Sequence, residues 1–165
     1  MSSFSFPSNY GQVQQCLFIP GTNCFHRYVL LVATASTCIA SLHTNLTARY
    51  RKAAGVPFPN PYASHTEAAA SIDKFRFNCA QKAHANFTEN HASFVFVLLI
   101  AGLGYPLWSA ILGVSWCIAR VLYALGYTRK ENAENGKGRH WGSWWALPHL
   151  LLMGTAVLSS WRLSY

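Results

Sequence analysis

At 165 residues the chain has room for one domain. Hydrophobic residues make up 52% of it, aromatics 15% and charged residues only 11%, which is too apolar for an average soluble domain and fits a small helical membrane protein. The net charge of +8 would suit nucleic acid, but the long apolar runs exclude that partner, and the basic residues sort by membrane side instead.

Residues 1–26 hold no Lys, Arg, Asp or Glu, and Pro7, Gly11, Pro20 and Gly21 interrupt any regular element, so residues 1–27 read as an irregular arm and not as a secretory signal. The first apolar run approaches the roughly 20 residues needed to span a bilayer and predicts a helix over residues 28–48, ending in the basic cluster Arg49, Arg51 and Lys52. Three prolines between Gly55 and Tyr62 forbid a helix and predict an extended loop. The alanine-rich stretch 63–73 predicts a short surface helix. Residues 75–91, FRFNCAQKAHANFTENH, then run into an apolar segment with no Pro or Gly between, predicting one helix over 75–103 whose first half is polar.

Asn78, Lys82, Asn86 and Glu89 recur at steps of four, four and three, which places them on one face of that helix. Such a face cannot look at lipid: Lys or Glu partway into a bilayer costs roughly 2.5–3.5 kcal/mol on insertion scales, so these groups face a bundle interior or an aqueous pocket. The alternative is a solvated helical extension above the membrane. After a turn at residues 104–106, a third helix over 107–127 carries Arg120, Tyr123 and Tyr127 on one face. Arg120 either snorkels to the interface or serves a site. A charged turn, 129–139, leads to a fourth helix over 141–163, where Trp141, Trp144, Trp145 and Trp161 lie at the two ends, as in an aromatic belt.

Four spans put the two basic loops on one side, which the positive-inside rule makes cytosolic. Arg51, Lys52, the two polar stripes and Arg139 then meet at one membrane level, a place for an anionic, water-soluble ligand to meet a lipid-soluble one. Cys16, Cys24, Cys38, Cys79 and Cys117 are scattered without C-x-x-C spacing and give neither a disulfide framework nor a metal site.

The run Asn78-Cys-Ala-Gln-Lys-Ala-His-Ala-Asn-Phe-Thr-Glu89, with Arg120-Val-Leu-Tyr-Ala-Leu-Gly-Tyr127 and the loop from Arg51 to Pro59, resembles the membrane-associated proteins in eicosanoid and glutathione metabolism (MAPEG). The likeness runs from about Tyr28 to the C-terminus and looks nearest to the type 3 microsomal glutathione transferases, in a fungal-looking form. It implies an all-α, integral membrane four-helix bundle over residues 28–165, a homotrimer in the endoplasmic reticulum or the mitochondrial outer membrane. Glutathione would be the co-substrate, with transferase and peroxidase activity towards lipophilic electrophiles or lipid hydroperoxides.

Carried over by position, the glutathione-binding residues are Arg51, Lys82, His84, Asn86, Glu89, Arg120, Tyr123 and Tyr127, with Arg51 reaching across a subunit interface. Lys82 stands where relatives have Arg, and Asn90 where some have Tyr. The arginine that would favour the thiolate is replaced at its usual spacing by Glu134, so Arg139 is the expected catalytic group, with Arg129 and Lys137 as alternatives. Residues 12–27 read as an insertion, on one hypothesis a translated intron or a gene-model error, which finding those codons in every spliced transcript would rule out. A non-catalytic lipid-binding scaffold of the same fold is the alternative function. A small channel is disfavoured by the lack of internal repeats and of Gly/Pro-broken helices.

Overall fold

The computed structural model describes residues 23–129 and 136–164. Glu134 and residues 12–22 of the expected insertion lie outside the described residues. Among these there are five α-helices, two short 3-10 segments and no strand. Helix α1 spans Asn23–Ala54, longer at both ends than the 28–48 expected, with Arg51 and Lys52 in the last turn, where cations offset the helix dipole. Gly55 follows with φ 63°, the left-handed cap that glycine adopts without penalty.

Helix α2, His65–Ala70, starts with a capping box in which Ser64 accepts from the Glu67 backbone N–H and the Glu67 carboxylate accepts from that of Ser64. Helix α3 spans Ile72–Gly104 and α4 spans Pro106–Tyr127, with its proline in the first turn, where a missing N–H costs nothing.

The expected fourth helix, 141–163, is shorter. Lys137–Trp141 and Ser143–Trp145 are 3-10 turns, and α5 runs Ala146–Ser164. Pro148 has no N–H to give the Trp144 carbonyl, and its ring would clash with that carbonyl in a continuous α-helix, so the helix can begin only just before it.

Helix α3 is central, packing on α1, α4 and α5. Its 33 residues make it about 50 Å long at 1.5 Å per residue, well beyond a hydrocarbon core of about 30 Å. The core holds Phe87, Phe94, Leu98, Trp116 and Leu152, all fully enclosed, with the Phe94 and Trp116 rings stacked at 3.8 Å. Two hydroxyl–imidazole pairs cross between helices inside it, Ser36 Oγ with His91 Nε2 at 2.9 Å and Ser93 Oγ with His149 Nε2 at 3.3 Å.

Helices α1, α3 and α4 are long and apolar enough to cross a membrane. Helix α5 has 19 residues, among them Pro148, His149 and Arg162, and does not meet that measure, although its outward side is apolar through Leu147, Leu150, Val157 and Leu158. At the end carrying the basic loops, one side chain fastens three helices. Arg76 donates through Nε to the Thr128 carbonyl after α4 and through Nη2 to the Tyr50 hydroxyl on α1, both at 2.9 Å.

Candidate functional site

The polar stripe of α3 divides between two tasks. Asn78 is a clamp: its Oδ1 accepts from the Ala63 N–H and its Nδ2 donates to the Ala63 carbonyl, both at 2.9 Å. Ala63 is thereby fixed against α3, and its neighbour Tyr62 is brought over the rest of the stripe. Lys82, Asn86 and Glu89 line a cavity of about 240 Å³ together with Tyr62, Tyr123, Tyr127 and Arg139. Six of the residues singled out in the sequence are thus gathered in one place. Tyr62 was not among them, because it is contacts between distant segments, the Asn78 clamp on its neighbour among them, that bring it there.

The cavity has opposite chemical ends. Lys82 and Glu89 are exposed, two helical turns apart, with Asn86 between them, and neither forms an ion pair among the described residues. The opposing wall is α4, where the Tyr123 and Tyr127 rings meet edge to face at 5.7 Å.

Arg139 arrives from the 3-10 segment Lys137–Trp141, and backbone contact explains how. A Cβ on Gly142 would lie 2.0 Å from the Ala119 carbonyl oxygen and 2.3 Å from Tyr123 N, and one on Gly126 would lie 2.3 Å from the Gly138 carbonyl oxygen. The absence of side chains at these positions lets the segment lie directly on α4, and Arg139 faces the tyrosines as a result. Of the three basic candidates for the catalytic group, Arg139 alone lines this cavity; the Arg129 guanidinium lies over the Trp141 ring at 4.9 Å, and Lys137 is exposed at the start of the 3-10 segment.

Arg120 neither snorkels nor lines the cavity. It is completely enclosed, with its Nη1 donating to Asn86 Oδ1 at 2.8 Å and its guanidinium among the rings of Phe87, Trp116, Tyr123 and Trp145, 4.8–5.5 Å from their centroids. Trp145 therefore covers a buried cation and does not belong to an outward belt, whereas Trp141, Trp144 and Trp161 are exposed. Arg120 Nε and Nη2 have no hydrogen-bond partner among the described residues.

Arg51 and His84 lie elsewhere. They line a second, open cavity of about 550 Å³ with Thr44, Thr47, Lys52 and Gln81, on the other side of α3. The reason is the helix period: His84 is two residues from both Lys82 and Asn86, about 200° around the helix. Arg51 also braces the proline loop, donating through Nη1 to the Asn60 carbonyl at 2.7 Å and stacking over Phe58 and Phe77. His43 was not anticipated. It is almost fully buried and stacks on Phe87 at 4.6 Å. No group of three or more His, Cys, Asp or Glu able to hold a metal occurs among the described residues.

The MAPEG family model matches residues 29–159. The chain belongs to that family, which includes glutathione transferases and peroxidases as well as non-enzymatic members.

Proposed function

We propose that this MAPEG protein is an integral membrane glutathione transferase with glutathione peroxidase activity, acting on lipophilic electrophiles or lipid hydroperoxides. The observation that carries the reading is the row of Lys82, Asn86 and Glu89 facing Tyr123, Tyr127 and Arg139 across one cavity. Lys82 and Glu89 are seven residues apart, about 10 Å along the helix. An extended tripeptide reaches about the same length. A zwitterionic tripeptide can therefore set its carboxylate at Lys82 and its ammonium at Glu89, leaving a central thiol near Arg139. Lys82 is a point charge without the bidentate fork of arginine, so it holds a carboxylate with less geometric definition.

A cavity of about 240 Å³ falls below the usual range for ligand sites, roughly 300–1,000 Å³. That shortfall supports a site completed by a second copy, with Arg51 and His84 as its contribution across the interface of a homotrimer. Four spans with the basic loops in the cytosol, in the endoplasmic reticulum, are part of the same reading.

In the proposed reaction the Arg139 guanidinium stabilises the thiolate by its charge, and the thiol proton leaves to water. The sulfur then forms a bond to an electrophilic carbon as the leaving group departs. With a hydroperoxide, the sulfur takes the terminal oxygen as the O–O bond breaks, giving an alcohol and a sulfenic acid. A second glutathione converts the sulfenic acid to disulfide and water.

The test is ultraviolet absorbance of bound thiolate against pH for the purified protein in detergent, wild type and Arg139→Ala. Thiolate near neutral pH in the wild type, lost in the variant with binding retained, is expected. Binding without thiolate would remove the catalytic step, and no binding would favour the lipid-binding scaffold. That second reading draws on an apolar groove of about 580 Å³ between α1 and α4, lined by Leu31, Val32, Ala110, Ile111 and Val114 among others.

A further inference from the structure

We infer that Arg120 is a positioning residue that fixes the polarity of Asn86, so that this side chain meets its ligand as a hydrogen-bond donor. The inference rests on the glutathione reading for the identity of the ligand, but its first half concerns the free protein.

A carboxamide can turn either its oxygen or its NH₂ group in a given direction, and the two are nearly isosteric. A guanidinium has five N–H donors and accepts nothing. With Arg120 Nη1 at 2.8 Å, only the Asn86 oxygen can face it; the flipped amide would set donor against donor. Arg120 cannot swing away to relieve this. It is fully enclosed, with four aromatic rings around its guanidinium.

The other half of the amide is open. Asn86 lines the cavity, its Nδ2 makes no hydrogen bond to a described residue, and that atom is not among the buried polar atoms left without a partner. The row along α3 thus reads cation, donor, carboxylate. Asn86 selects an acceptor at its centre, a peptide carbonyl or a carboxylate oxygen, leaving an ammonium to Glu89. Because the guanidinium polarises the amide it binds, the N–H groups presented to the cavity are stronger donors than those of a free asparagine.

Asn86→Asp tests this, since it keeps the size of the side chain and an acceptor for Arg120 while replacing the donor by an oxygen. The measurements are the melting temperature and the glutathione dissociation constant of the full chain in detergent. The expected result is opposite movement: the melting temperature holds or rises, because Arg120 gains a counter-charge, and glutathione binding weakens by about tenfold or more, the scale of a hydrogen bond to a charged group. Damage to the fold would lower both together.

Arg120→Lys, which can still donate to the amide oxygen, should keep affinity within about threefold, whereas Arg120→Met frees the amide to flip and should raise KM with little change in kcat. Wild-type glutathione affinity in Asn86→Asp would overturn the inference. If the wild type binds no glutathione, the functional reading fails, and the melting temperature of Asn86→Ala still decides the first half: removing the oxygen should lower it, and no fall would mean that the oxygen does not hold Arg120.

Discussion

The seating of the 3-10 segment on α4 gives a quantitative test of how Arg139 is held. In Gly142→Ala the new methyl carbon would stand 2.0 Å from the Ala119 carbonyl oxygen, where real contacts are essentially never closer than 3.0 Å, so the segment must withdraw by at least about 1 Å. The obstructing atoms, of Ala119 and Tyr123, all belong to the backbone of α4, a helix packed on α1, α3 and α5, so the 3-10 segment has to move. Overpacking of this kind costs about 1–3 kcal/mol. Arg139 lies three residues earlier, in the 3-10 segment that Gly142 caps, and moves with it, and a misplacement of about 1 Å in a reacting constellation can lower turnover about 100-fold. The assay is transferase turnover with saturating glutathione, alongside the melting temperature and thiolate absorbance. Turnover and thiolate should fall together while most of the fold survives. Unchanged turnover and melting temperature would refute the reasoning, since they would mean the segment has slack.

Asn78→Ala removes both hydrogen bonds to Ala63, which should cost about 1–3 kcal/mol, release the proline loop to proteolysis and weaken glutathione binding through loss of Tyr62; equal cleavage rates in variant and wild type would contradict the clamp. The Glu67 carboxyl is held down to about 2, from an ordinary 4.5, by hydrogen bonds from Lys74 first and then Ser64. A depressed carboxyl stabilises only while ionised, so its contribution to α2 is complete above pH 4.5 and fades as the pH falls towards 2. Hydrogen-exchange protection in α2, taken relative to the intrinsic rate at each pH, should fall with acid in the wild type and stay level in Glu67→Gln.

What could be read from the sequence was what repeats along a helix. The spacing of Lys82, Asn86 and Glu89, and of Tyr123 and Tyr127, is a local property of the 3.6-residue period, and those side chains do meet in one cavity. The same period carries His84 to the far side, a consequence visible in the numbering once it is followed. Asn78 shares the stripe yet serves the loop, because a backbone carbonyl and N–H fifteen residues earlier satisfy it. Tyr62 and the enclosure of Arg120 depend on contacts between distant segments and had no local signal. The start of α5 had one: Pro148 limits how far upstream an α-helix can begin. Trp145 looked like its neighbours in sequence, and only its facing Arg120 distinguishes it.

The glycine seat has a consequence for how such a protein can vary. Arg139 takes its register from below, where Gly126 meets Gly138 and Gly142 meets α4. Counting residues forward from Tyr127 is therefore the wrong ruler. A guanidinium is presented at this point only while the glycines stay small. A genetic screen that randomised Gly142 should return almost nothing but glycine.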